Sequence, residues 1–131
     1  MIYQQQLSFS TNGRSTSNIT SDIQQIVAQS GINAGTCHIF VQHTSASLMC
    51  CENADPDVQH DLIIALNRIS PDLPEFKHME GNSDAHTKSS IVGCSQEIII
   101  SEGKLLLGTW QGIYFCEFDG PRSRTAILRI D

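Results

Sequence analysis

Apolar and polar positions alternate along residues 2–10, with Tyr3, Gln5 and Leu7 on one side and Ile2, Gln4 and Gln6 on the other. A period of two sends successive side chains to opposite faces and predicts a strand. From Asn18 the period lengthens. Ile19, Ile23, Ile26 and Val27 recur at helical spacing, Thr20 and Ser21 offer caps, and Gly31 ends the run, which predicts a helix over 18–30. Residues 36–42 are rich in β-branched and aromatic side chains and predict a strand, followed by a turn or bulge over 44–47 and a second strand ending near Cys51. Asp55-Pro56-Asp57 is a helix start: Asp55 can cap, Pro56 fits the first helical position, and Asp57 faces the positive end of the helix dipole. Val58, Leu62, Ala65, Leu66 and Ile69 continue it as one apolar stripe until Ser70-Pro71.

Residues 71–90 lose all periodicity and read as a long loop, a feature that in a compact domain is often functional. The remainder predicts strands over 88–93, 96–102, 105–118 and 122–130, with turns at Glu102-Gly103 and Asp119-Gly120-Pro121. The order is β-α-β-β-α-β-β-β-β. Strands joined by short turns pair antiparallel, so the expected class is α+β with two helices. Two helices cannot cover both faces of a large sheet. A second sheet stacked on the first, sandwich-like, or a subunit interface must cover the rest.

The 131 residues suit a single domain over 1–131, and 40% hydrophobic with 17% charged residues describes a globular chain. The formal charge is −6 with only eight Lys and Arg, which argues against nucleic acid or an anionic membrane surface as partner. An anionic ligand must instead be held locally. No apolar run approaches the ~20 residues of a membrane span, and the N-terminus lacks the pattern of a signal peptide. A cytoplasmic location is therefore expected. The cysteines, Cys37, Cys50, Cys51, Cys94 and Cys116, are odd in number and show no CxxC spacing, so buried reduced thiols are expected.

Three groups of residues could carry chemistry. His43 marks a strand end, and His78 and His86 lie in the long loop, whereas His38 and His60 fall inside a strand and a helix. Three imidazoles from separate segments, with Glu52 or Asp57 as oxygen ligand or general base, could hold Zn²⁺ or serve as acid and base; packed or solvated histidines explain the same pattern. Glu52, Asp55, Asp57 and Asp61 crowd the second helix start. Capping accounts for Asp55 and Asp57, but Glu52 lies before the helix and Asp61 repels Asp57 one turn away. That surplus suits Mg²⁺ or acid–base work. Arg122 and Arg124, two residues apart on an extended strand, project to one side. They could grip a phosphate or carboxylate with two guanidinium forks, or be rim charges or partners for Glu117. A serine-hydrolase reading of His43 with Ser45 or Ser47 lacks the Gly-x-Ser-x-Gly elbow.

Gly108-Thr109-Trp110-Gln111-Gly112-Ile113 followed by Glu117-Phe118-Asp119-Gly120-Pro121-Arg122-Ser123-Arg124 resembles the YjbQ-like family, often labelled secondary thiamine-phosphate synthase. The likeness runs back through His43-Thr44-Ser45-Ala46, Glu52-Asn53, Asp55-Pro56-Asp57-Val58, Asp61-Leu62, His78, Gly81-Asn82 and Ala85-His86, nearly the whole chain. The resemblance implies an α+β fold with antiparallel sheet and two helices, assembled as a homotrimer with a polar cluster near the subunit boundaries. That cluster would hold His43, Glu52, Asp57, His78, Asn82, His86, Trp110, Gln111 and Arg124. The implied activity is transfer: a thiazole phosphate nitrogen displaces pyrophosphate from a hydroxymethylpyrimidine diphosphate. In that role His43, Glu52, Asp57 and His86 are catalytic candidates. Asn82, Trp110, Gln111, Arg122 and Arg124 are candidates for the small phosphorylated heterocycle. His43, His78, His86 and Glu52 are candidates for a divalent metal ion, Mg²⁺ or Zn²⁺. The same parts would serve metal-assisted hydrolysis of another small substrate or a non-catalytic trimeric ligand-binding protein.

Overall fold

A computed structural model describes residues 1–131. The elements run β1 (Tyr3–Ser10), β2 (Ser15–Asn18), α1 (Thr20–Ser30), β3 (Gly35–Phe40), β4 (Ala46–Glu52), α2 (Pro56–Ile69), α3 (Ser83–Val92), β5 (Ser95–Ser101), β6 (Lys104–Leu105), β7 (Gln111–Glu117) and β8 (Ser123–Ile130). All strand pairs are antiparallel. They form a five-stranded sheet, β1-β8-β3-β5-β6, and a three-stranded sheet, β2-β7-β4. The class is α+β, and there are three helices, not two.

The main core joins α1 to both sheets. Ile23 and Val27 of α1 meet Cys37 and Ile39 of β3, Leu48 of β4, Phe115 of β7 and Leu128 of β8, all of them fully buried. A smaller cluster on the other side of the three-stranded sheet packs Leu66 of α2 and Ala85 of α3 against Cys116 and Phe118. The two sheets therefore differ in exposure. The large sheet keeps one face in water, and β1 and β8 alternate accordingly. β7 is covered on both sides and is buried from Gly112 to Glu117, which is why its sequence is a continuous apolar run.

Four expectations change. The strand predicted over 105–118 is broken: Leu105 ends β6, and β7 begins at Gln111 in the other sheet. Between them Gln111 closes a turn on Gly108, its Oε1 accepting the Gly108 N–H at 2.8 Å and its own N–H donating to the Gly108 carbonyl at 3.0 Å. The first helix begins at Thr20 and its predicted start at Asn18 belongs to β2; Asn18 Oδ1 accepts the Thr20 N–H at 3.1 Å, so neither Thr20 nor Ser21 is the cap. The stripe on α2 is thinly covered within one chain, with Leu66 buried but Val58 and Ile69 exposed. The long loop ends early, because residues 83–92 form α3 where a loop and then a strand were expected. This helix has no apolar stripe to betray it. It buries polar groups instead: Lys88 Nζ donates to the Ser70 carbonyl at 2.8 Å and to Asp84 at 3.1 Å, and Ser89 donates to the Ala46 carbonyl at 2.8 Å.

The thiols also depart from expectation. All five are free, but only Cys37 and Cys116 are buried, and Cys94 is exposed. Burial pushes the Cys37 thiol up to about 11 and the Cys116 thiol to about 12. No helix is long and apolar enough to cross a membrane.

Candidate functional site

His43, His78, Asn82, His86, Arg122 and Arg124 line one open cleft of about 440 Å³ that has no apolar side chain in its wall. Ser45 and Glu80 complete the part that matters here. The residues come from the turn before β4, the loop after α2, the first turns of α3 and the junction of β7 with β8. Antiparallel pairing brings these together: Ala46 lies opposite Glu117, so the start of β4 meets the end of β7.

Each arginine is fixed by a carboxylate. Glu117 and Arg124 are both buried and form a two-pronged ion pair, Arg124 Nε donating to Oε1 at 2.7 Å and Nη2 donating to Oε2. Thr11 Oγ1 donates to the same carboxylate at 2.6 Å, and the Asp119 N–H at 3.0 Å. These donors hold Glu117 below the usual carboxylate range although burial opposes it. Arg124 Nη2 also reaches Ser45 Oγ at 2.9 Å. Arg122 is exposed and donates from Nε to the Asp119 carbonyl at 2.7 Å and from Nη2 to Asp119 Oδ2 at 2.9 Å. Neither Nη1 group takes part in these bonds, so each guanidinium keeps two N–H donors for the cleft.

The backbone fixes the imidazoles. The Thr125 N–H donates to His43 Nε2 at 3.0 Å. An amide N–H only donates, so Nε2 spends its lone pair there and the proton of the neutral ring sits on Nδ1. Burial, aided by the Arg124 charge, lowers the His43 pKa and favours that neutral form. His86 is set the opposite way. Its Nδ1 lies 2.9 Å from the Thr44 carbonyl, which only accepts. Nδ1–H therefore donates, and Nε2 keeps a free lone pair. His78 stands edge-on to His86, with ring centroids 5.3 Å apart. One imidazole is thus a donor and another an acceptor toward the same space.

Asn82 is oriented by Asp119. Its Nδ2 donates to Asp119 Oδ2 at 2.7 Å, which places Oδ1 on the other side, buried and without a partner. The residue is 9% exposed. Beneath it, Asp84 binds Arg14 at 2.5 Å and Lys88 at 3.1 Å, and these cations hold its carboxyl at about 2.

The remaining candidates lie elsewhere within one chain. Glu52 is at the far end of β4, opposite Gln111, and the seven residues of that strand span roughly 20 Å. Its carboxylate accepts the Asp55 N–H at 3.1 Å, so Glu52 has a local role after all. Asp55 Oδ1 accepts the Asp57 N–H at 2.9 Å, as a cap should, and the Asp57 side chain is in the first turn of α2. Trp110 is 64% exposed, and its carbonyl accepts the Asn53 N–H at 2.9 Å. Glu52, Asp57, Trp110 and Gln111 therefore form a second group apart from the cleft. His38 and His60 are exposed partners of Asp131 and Asp61.

The four-ligand set of His43, His78, His86 and Glu52 does not fit a resident metal within one chain. Glu52 is at the wrong end of β4, and the accessible lone pair of His43 is already used. No three His, Cys, Asp or Glu side chains gather at metal-holding geometry. His86 Nε2 and His78 are the imidazoles left to meet a cation. Sequence reasoning offered Glu117 as an arginine partner, and it holds Arg124; it missed Asp119 as the group that aims Arg122, and Glu80 on the rim. A signal was present for Glu117, a lone carboxylate inside the apolar run of residues 113–118.

Residues 5–130 match the family described as UPF0047 protein YjbQ-like. The chain belongs to this family. A UPF0047 protein of Methanocaldococcus jannaschii is 54% identical over 112 residues, covering 86% of this chain and 81% of the relative. The UPF0047 protein YugU of Bacillus subtilis is 48% identical over 113 residues, 86% of each. Among solved structures, a YjbQ/UPF0047 family protein of Clostridium acetobutylicum superposes with a TM-score of 0.93 at 46% identity, covering 96% of this chain and 98% of that one. A YbjQ-like protein of unknown function from Sulfolobus solfataricus gives 0.94 at 31% identity, with 99% and 96% covered. The UPF0047 relatives share the fold over almost their full length.

Proposed function

We propose that this chain is a small-molecule transferase of the thiamine-phosphate synthase type. A thiazole phosphate nitrogen attacks the methylene carbon of a hydroxymethylpyrimidine diphosphate. A C–N bond forms, and the C–O bond breaks with its electron pair leaving on pyrophosphate. The observation that supports this reading is the convergence of His43, His86, Arg122 and Arg124 on one polar cleft from distant parts of the chain. Charge grows on the leaving oxygens as the bond breaks, and donors already in place stabilise it without reorganising. The free Nη1 groups and the His43 Nδ1–H are such donors, and His86 Nε2 can take or return a proton at a phosphate oxygen. No protein nucleophile is needed, and Mg²⁺ enters only as the counter-ion of the diphosphate. The homotrimer belongs to the same proposal. Trp110 and Glu52 stand away from the cleft of their own chain, so they act on its ligand only if a neighbouring protomer brings them there.

The test is product formation from the two phosphorylated precursors with Mg²⁺. His86→Gln and Arg122→Ala both leave the buried Glu117–Arg124 pair intact. Each is expected to lower the rate at least about a hundred-fold, with circular dichroism and melting unchanged. Native rates in both variants would overturn the proposal. Light scattering tests the trimer. A metal-dependent hydrolase, the other reading, needs a ligand set that one chain does not gather; stoichiometric zinc in protein purified without added metal would favour it.

A further inference from the structure

Resting on that reading of the cleft, we infer that the uncharged ring of the diphosphate substrate occupies a second compartment beside Cys94, on the far side of His86 from the arginines. A groove of about 270 Å³ lies there. His43, Thr44 and His86 line both this groove and the cleft of the arginines, so the two compartments adjoin. The helix α3 sets their order. Asn82, His86 and Ser90 are four residues apart and succeed one another along one side of the helix at intervals of about 6 Å. Asn82 lines only the arginine cleft, Ser90 only the second groove, and His86 both. The segment holding His43 and Thr44 runs alongside, tied to the helix where His86 Nδ1 meets the Thr44 carbonyl at 2.9 Å. The result is one trough with His86 at its division.

The two ends of the trough differ in chemistry. Arg122 and Arg124 stand at one end. The wall of the other end has no Arg, Lys, Asp or Glu; beyond the shared residues it is made by Ser89, Ser90, Gly93 and Cys94. Ser90 Oγ donates to the His86 carbonyl at 2.9 Å, so toward a ligand it only accepts. An oxyanion finds neither a cation nor a spare hydroxyl donor in Ser90, and its charge is better placed against the guanidiniums. An uncharged ring loses nothing by entering, and a ring that bears an N–H meets an acceptor. A small-molecule site built in this way, with the polar grip at one end and an uncharged bay at the other, fixes orientation as well as identity. It sets the diphosphate against the arginines, the ring beside Cys94, and the C–O bond that breaks next to His86.

Cys94 gives a direct readout. It is exposed, whereas Cys37 and Cys116 are buried, and its alkylation by iodoacetamide can be followed by peptide mass spectrometry. His78 lines the arginine cleft and not the second groove, so its ring resonance reports the other end. The native protein is titrated with inorganic pyrophosphate and, separately, with hydroxymethylpyrimidine diphosphate, both with Mg²⁺. Both ligands are expected to move the His78 resonance. Only the hydroxymethylpyrimidine diphosphate should protect Cys94, slowing its alkylation about ten-fold at ten times its Kd. Cys94→Phe, which fills the bay, should weaken that ligand at least about ten-fold and pyrophosphate less than about two-fold. Movement of His78 by the organic diphosphate with Cys94 alkylated at its free rate would overturn the placement of the ring and leave the anion cleft standing. Equal protection by pyrophosphate would do the same. No movement of His78 with either ligand would overturn both the placement and the proposed function. The alkylation arm uses the native chain, so it decides the matter even if Cys94→Phe fails to fold.

Discussion

The two ends of β4 hold the same kinds of residue and treat them differently. At the Ala46 end, His43, Ser45, Asn82, His86 and both arginines are held by bonds that fix which atom donates and which accepts. At the Glu52 end, Glu52, Asp55 and Asp57 serve the turn into α2, and Trp110 lies open to solvent. A surplus of carboxylates in a sequence is thus a weak pointer to chemistry. A backbone N–H can use up such a surplus, as Asp55 does with Glu52. A side chain with one end tied and the other end free is a stronger pointer: the Ala46 end gathers Asn82 and His86 around one cleft, whereas the Glu52 end has Gln59, whose Nε2 is tied to Cys51 and Glu52 and whose Oε1 has no partner.

Stability should separate the two ends most sharply. Glu117→Ala leaves the Arg124 guanidinium buried beside no carboxylate, at an expected cost of about 3–5 kcal/mol in urea unfolding. Glu52→Ala removes a partly exposed contact and should cost less than about 1 kcal/mol. Comparable losses at the two ends would erase the distinction. In the precursor-to-product assay, His86→Gln should reduce turnover by about 10²–10⁴-fold, while Asp57→Asn should stay within a few-fold. Matched losses would mean that the far end reaches a cleft, as a neighbouring protomer would allow.

The support beneath the cleft can be tested through pH. Arg14 first, then Lys88, hold the Asp84 carboxyl at about 2 against its ordinary 3.8. The folded chain therefore binds this proton less readily than the unfolded chain. The resulting stability, about 2 kcal/mol, is complete above the ordinary carboxylate value and is lost as pH falls from about 4 toward 2. Asp84→Asn should flatten that part of the profile of urea midpoints against pH. An unchanged acid slope would show that Asp84 does not carry it. The smallest effect belongs to the far end: Asp55→Ala removes the α2 cap and should cost about 1 kcal/mol, with no change at the cleft.

The α+β class, the outer strands and the start of α2 were legible because one-sided burial leaves a period in the sequence. β1 and β8 alternate since their sheet keeps a wet face, and Asp55-Pro56 caps in the expected way. Where burial is two-sided or polar, the period disappears. The break between β6 and β7 falls in a stretch apolar on both sides of a turn, and α3 fills its buried face with Asp84, Lys88 and Ser89. The candidate residues at the cleft could be chosen by type, but not their roles. Only the fold reveals that Thr125 occupies His43 Nε2 and that Asp119 leaves Asn82 Oδ1 unpartnered.

Asp84 has one more consequence. It sits on the same helix as His86 and ties that helix to Arg14 in the segment between β1 and β2. Swinging the His86 wall outward would first have to pull the Asp84 carboxylate away from Arg14 and Lys88 Nζ away from the Ser70 carbonyl. The wall therefore stands in its working position before any ligand arrives, so little affinity is lost to ordering it. Encounter in such a cleft is governed by diffusion and desolvation, with no slow rearrangement of this wall to await.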